Sequence, residues 1–182
     1  MTWRNTTDRY GILSMGFHWL MLLLLAAVYG CIELRELFPK GSDPREALKT
    51  WHFMLGLSVF VLAGLRLLVR LAGPLPRIEP NSPRWQNLSA RFTHFLLYAL
   101  MIAMPLAGWL LLSAKGKPIP FFGLHLAPLI GESKSLAKLI EEVHETAGTA
   151  GYFLIGLHTA AALFHHYVLR DNTLRRMLPG HL

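Results

Sequence analysis

The chain has 182 residues, 53% of them hydrophobic and 16% charged, with a formal net charge of +7 and a single cysteine. Soluble domains carry about 45–50% apolar and about 25% charged residues, so this balance excludes an ordinary water-soluble globule and points to one membrane-embedded domain over residues 1–182. The lone Cys31 excludes an intrachain disulfide and a cysteine-built metal site, and the basic residues lie beside apolar runs, where membrane lipid rather than nucleic acid is the simpler partner.

Four apolar runs follow in chain order, at about residues 12–32, 51–71, 92–112 and 143–169. Each reaches the roughly 20 residues that a helix needs to cross about 30 Å of hydrocarbon. Helices are expected because lipid offers no partner to an open strand edge. The predicted fold class is all-α, an integral membrane four-helix bundle.

The first run carries His18 and ends in Val28-Tyr29-Gly30-Cys31, which faintly resembles a lipoprotein cleavage box. Asp8 and His18 are poor company for a signal peptide, so a retained span is expected. A polar connection over 33–50 holds Pro39, Gly41 and Pro44, and Trp51-His52 opens the second run. Residues 72–91 carry Pro74, Pro76, Pro80 and Pro83, which predict an extended loop that is not helical throughout. His94 opens the third run. The connection over 113–142 ends in a polar stretch with Leu136, Leu139 and Ile140 at helical spacing, which predicts a short surface helix leading into the fourth run. That run holds His144 and His158, with His165 and His166 at its far end.

Lys and Arg placement orients the spans. With the N-terminus in the cytoplasm, ten basic residues fall inside (Arg4, Arg9, Arg66, Arg70, Arg77, Arg84, Arg91, Arg170, Arg175, Arg176). Eight fall outside (Arg35, Lys40, Arg45, Lys49, Lys115, Lys117, Lys134, Lys138), together with eight of the eleven acids. Both termini are therefore expected on the cytoplasmic side.

Ionisable residues inside a span are costly and mark function by default. Five histidines lie in or at the edge of the spans: His18, His52, His94, His144 and His158. His144 and His158 are fourteen residues apart, so at 100° and 1.5 Å per residue they share a face to within about 40° and stand roughly 21 Å apart along the axis. Two haems stacked across a bilayer require such a spacing. Matching depths pair His52 with His144 outside and His18 with His158 inside, with His94 a competitor for the inner position. Gly16, Gly56, Gly148 and Gly156 flank the ligands and leave room for a flat macrocycle or for close helix packing. A c-type attachment needs two cysteines, zinc needs a tetrahedral cluster, and a di-iron bundle needs repeated Glu-x-x-His, of which only Glu141 to His144 is present. Haem b is the remaining reading.

Gly16-Phe17-His18-Trp19-Leu20, Trp51-His52, His144-Glu145-Thr146, the stretch Gly151–Tyr167, Asp171-Asn172-Thr173-Leu174 and the closing Met177-Leu178-Pro179 resemble the bacterial cytochrome b561 family over almost the whole chain. The resemblance implies two haem b groups, held by His18 and His158 on the cytoplasmic side and by His52 and His144 on the periplasmic side of the bacterial inner (plasma) membrane. It further implies a superoxide:ubiquinone oxidoreductase, oxidising periplasmic superoxide to dioxygen and passing electrons through both haems to ubiquinone. His94, His165, Arg84 and Arg91 are the candidate quinone site; Arg91 stands where a histidine is expected from the resemblance. A rim drawn from the eight outer basic residues would steer the superoxide anion, although most of that charge is expected to be solvated loop charge. The alternative is an electron-transfer membrane subunit serving a separate dehydrogenase or a periplasmic redox protein partner.

Overall fold

In lipid a helix satisfies every backbone group within its own segment, and each of the four apolar runs forms one. The computed structural model describes residues 2–80 and 82–178; Pro179 of the closing motif lies outside the described residues. The helices are α1 (Ile12–Leu34), α2 (Asp43–Leu71), α3 (Arg84–Ala114) and α4 (Lys134–Phe164). All four are long and apolar enough to cross a membrane, and together they make an all-α bundle of membrane-spanning helices.

The helices α2, α3 and α4 begin before their apolar runs. Ser42, Pro44, Asp43 and Glu46 make a favourable start for α2, with proline in the first turn and carboxylates near the positive helix end. Pro83 precedes α3. At α4 the Ser133 hydroxyl accepts the backbone N–H of Leu136. The stretch around Leu136, expected as a short surface helix leading into the fourth run, is helical and continuous with that run. Nothing breaks it: no proline or glycine falls between Ser133 and Gly148.

Between α3 and α4 lies a feature that the sequence pattern did not predict, a hairpin of β1 (Ile119–Phe121) and β2 (Leu124–Leu126). Phe122 and Gly123 both adopt positive φ, 47° and 86°, the two-residue turn whose twist matches antiparallel strands. Gly116 ends α3 at φ 61°, and any Cβ there would collide with the Glu132 side chain. The hairpin closes the end of the bundle that the expected orientation makes the outer one, by packing Ile119, Phe121 and Leu126 against Leu57, Leu112, Phe53 and Trp109.

The main core lies among α1, α2 and α3. Met21, Val59, Leu62, Ala63 and Met101 are its buried residues, with Phe17, Leu97, Tyr98 and Ile102 packed around them. Close packing runs α1 on α2, α2 on α3 and α3 on α4, and no comparable packing joins α4 to α1 or α2 among the described residues. The fourth helix thus stands beside a three-helix core and touches α1 mainly through side chains. Tyr29 donates to the Gly148 carbonyl at 3.0 Å, and Tyr152 donates to Glu33 at 2.7 Å. Gly151 is buried because the Tyr29 hydroxyl occupies the place of its missing Cβ.

Gly151→Ala is expected to destabilise the protein by about 1–3 kcal/mol, the cost of overpacking a tight contact. Added to Tyr29→Phe, which removes the colliding hydroxyl, the same change should cost less. Thermal unfolding of the two single variants and the double variant in detergent measures this; strictly additive losses would argue against the contact.

Candidate functional site

The bundle gathers its histidines into two groups at opposite ends. At the outer end, His52 near the start of α2 and His144 on α4 have ring centroids 6.3 Å apart, crossed at 73°. At the inner end, His18 on α1 and His158 on α4 are 6.2 Å apart, crossed at 75°. His94 on α3 also approaches His158, at 5.4 Å. The pairs are assembled across helices that do not pack closely, so only the side chains span the interval.

Those separations bear on what fits between the rings. With metal–nitrogen bonds of about 2.0–2.1 Å and about 1.2 Å from ring centre to nitrogen, two imidazoles bridged by one metal ion have centroids about 6.4 Å apart. The His52/His144 and His18/His158 pairs lie within about 0.2 Å of that spacing. His94/His158 is about 1 Å too short. Among the described residues no three His, Cys, Asp or Glu side chains converge on one point, so the donors come in twos. Two facing imidazoles would suit a haem iron, whose other ligands the porphyrin would supply. Of the glycines that precede or follow these histidines, Gly56 lies four residues after His52, on the same side of α2, and a Cβ built there would meet nothing within 4 Å.

The second contacts of the rings differ between the ends. His52 Nδ1 lies 3.0 Å from the Val28 carbonyl, which can only accept; Nδ1 therefore carries the proton and Nε2 is free as a metal ligand. His144 Nδ1 is buried without a partner. At the inner end the Arg66 guanidinium donates to His18 Nδ1 at 3.0 Å, which puts the proton of a neutral ring on Nε2.

An inner cleft of about 790 Å³, counting its open mouth, is lined by His18, His94 and His158 together with Arg66, Arg70, Tyr98, Tyr10 and Arg176. Its cover is the C-terminal segment. Trp19 Nε1 donates to the Met177 carbonyl at 2.7 Å, Asn172 exchanges hydrogen bonds with Glu79, and Arg176 donates to the Pro76 carbonyl. His165 opens a single π turn over His165–Leu169 and bonds through Nδ1 to the carboxylate of Asp171. Arg84 and Arg91 are exposed at the inner start of α3, outside the lining of the cleft. Arg66 and Arg70 line it instead. Two arginines inside an apolar run are a signal the sequence did offer, and Asp171 lies in the Asp171–Leu174 motif; Tyr98 carried none.

The outer basic residues are largely engaged. Arg45 is only 7% exposed and donates to the Arg35 and Phe38 carbonyls and to Glu36, pinning the α1–α2 connection. Arg35, Lys49, Lys115 and Lys138 each lie within 4.0 Å of a carboxylate. Among the described residues Lys40, Lys117 and Lys134 have none that close.

Comparison with known proteins agrees with this architecture. Residues 9–180 match the family described as prokaryotic cytochrome b561. The chain is 39% identical to cytochrome b561 homolog 1 of Escherichia coli (strain K12), over 94% of this chain and 98% of that one. It is 40% identical to a Yersinia pestis protein named probable superoxide oxidase CybB, over 94% and 96% of the two chains. Identity to cytochrome b561 homolog 2 of Escherichia coli (strain K12) is 28%, over 98% and 95%.

Asp171 makes the inner end pH-sensitive. Burial pushes its carboxyl up, but hydrogen bonds from His165 and Thr173 outweigh that and hold it below the usual carboxylate range. A carboxyl depressed in the folded state stabilises above its unfolded pKa of about 3.9, and the stabilisation is lost as pH falls through the folded value. Asp171→Asn should cost about 2 kcal/mol at pH 7, the worth of hydrogen bonds to a charged group. Unfolding midpoints of variant and parent should converge below about pH 4; a gap that stays constant with pH would count against this.

Proposed function

The chain belongs to the prokaryotic cytochrome b561 family, multi-pass redox proteins of the inner membrane, and from that premise we propose that it is a di-haem superoxide:ubiquinone oxidoreductase. The net reaction takes one electron from each of two periplasmic superoxide ions, releasing two dioxygen molecules. It delivers two electrons and two cytoplasmic protons to ubiquinone, giving ubiquinol. The observation that carries the reading is the pair of imidazole–imidazole separations, 6.2 and 6.3 Å, at the two ends of one bundle.

In this reading His52 and His144 hold the outer haem b and His18 and His158 the inner one. Haem b supplies the one-electron chemistry when bound. The protein's part is to fix the ligands and to manage charge and protons. The Val28 carbonyl orients His52 and sets its tautomer. Lys40, Lys117 and Lys134 are the outer cations left to attract a small anion, a screened and therefore salt-dependent effect. At the inner end His94 lines the cleft and, at 5.4 Å from His158, is better suited to meet a quinone oxygen than to share an iron. His165, held by Asp171, is the second candidate proton donor. Arg84 and Arg91 lie outside the cleft and carry less of the quinone reading. Both termini are cytoplasmic in this arrangement.

The engagement of five outer cations by carboxylates favours one other reading. In it the chain is an electron-transfer membrane subunit, and the exposed Trp51, Phe122 and Leu124 at the outer end meet a redox partner rather than lipid headgroups.

The purified chain is expected to show haem b absorption that superoxide reduces, with ubiquinone-dependent turnover. Absence of reduction by superoxide would leave the subunit reading. Turnover should fall as ionic strength rises. His52→Ala and His144→Ala should each lose the same one of two haems, and His18→Ala and His158→Ala the other. Retention of both haems in His52→Ala would break the pairing.

A further inference from the structure

The inner cleft holds two guanidinium groups with no anion of the protein to meet them. Arg66 and Arg70 lie four residues apart on one face of α2, and each sits 5.7 Å from the centre of the Tyr98 ring. Neither has a carboxylate within 4.0 Å among the described residues. The Tyr98 hydroxyl is buried without a hydrogen-bond partner. All three line the cleft that contains His18 and His158. Two half-buried guanidiniums without a carboxylate, beside a buried hydroxyl without a partner, suit a ligand that carries negative charge and acceptor oxygens.

We propose that Arg66, Arg70 and the Tyr98 hydroxyl form the anchoring site for the two propionate carboxylates of the inner haem. The proposal rests on the haem reading above. Two carboxylates match two guanidiniums in number and charge, and each can be held by a forked pair of N–H donors. The cluster lies near the C-terminal end of α2, so carboxylates held there would face the edge of the bundle nearest water. The anchor also acts on the ligand. Arg66 at present donates to His18 Nδ1, which leaves the proton of the neutral ring on the nitrogen that iron needs. A carboxylate is a stronger acceptor than a neutral imidazole, so it draws Arg66 off and frees His18 Nδ1 to carry that proton.

The test uses the holoprotein. Inner-haem signals are assigned as those lost in His18→Ala. Midpoint potentials of both haems are measured from pH 6 to 8 in the parent, Arg66→Gln, Arg70→Gln, Arg70→Lys and Tyr98→Phe. Loss of a neighbouring cation disfavours the reduced haem, so the inner potential falls in both glutamine variants and gains a pH dependence as a less restrained propionate titrates. The outer potential stays, and Arg70→Lys recovers most of the shift. Reduced-minus-oxidised infrared spectra with carboxyl-labelled haem should show propionate bands that move in the same variants and in Tyr98→Phe. Should Arg66→Gln or Arg70→Gln fail to fold, Tyr98→Phe with the infrared readout carries the test. Unchanged inner potential and unchanged propionate bands overturn the proposal. So does loss of bound phospholipid phosphorus without either shift, which would assign the cluster to an anionic lipid. A parent protein without haem overturns the haem reading itself, before any variant is made.

Discussion

The distance between α4 and the α1–α2 face governs this molecule. Three helices make an ordinary membrane core around Met21, Val59, Ala63 and Met101. The fourth packs closely on α3 and leaves an interval on its other side, crossed by imidazole rings and two tyrosines. The interval leaves the facing rings of each pair edge-on, with centroids 6.2 Å apart for His18 and His158 and 6.3 Å apart for His52 and His144.

The two ends of that interval are chemically unlike. The outer end is capped by a hairpin with an apolar underside and by a loop pinned on buried Arg45, and most of its cations are spent on carboxylates. His52 there carries its proton on Nδ1, held by the Val28 carbonyl, and leaves Nε2 free. The inner end is basic, with Arg66, Arg70 and Arg176 lining one cleft, and it is covered by a C-terminal segment tied to the α2–α3 loop and to Trp19. A one-electron donor arriving at one face and a proton-consuming acceptor at the other would use such an asymmetry: a compact, apolar entrance and a polar, proton-bearing exit. His165 and Asp171 give the inner end a titratable pair placed by the π turn that ends α4.

Much of this was legible along the chain. The four spans are long apolar runs, and a helix in lipid needs nothing more than length and apolarity. The axial placement of His144 and His158 follows from helix rise alone, and matching depth pairs each with the histidine it meets across the interval. What local pattern missed has a common cause. The β-hairpin depends on Phe122 adopting a left-handed conformation, which its side chain does not announce. The helical spacing of Leu136, Leu139 and Ile140 marks the polar 133–142 stretch as helix, and its merger with the fourth span depends on the absence of any break. Arg84 and Arg91 were drawn into the quinone reading by position near the inner face, yet their side chains stay outside the cleft.

The sequence by itself determined the membrane class, the number of helices and the depth of each histidine, because composition and rise per residue are properties of a single segment. Only the tertiary structure decided how far apart facing rings stand, which nitrogen of each ring is engaged, and which arginines share the cleft with them. Those depend on how α4 leans from the three-helix core, and no single segment contains that distance.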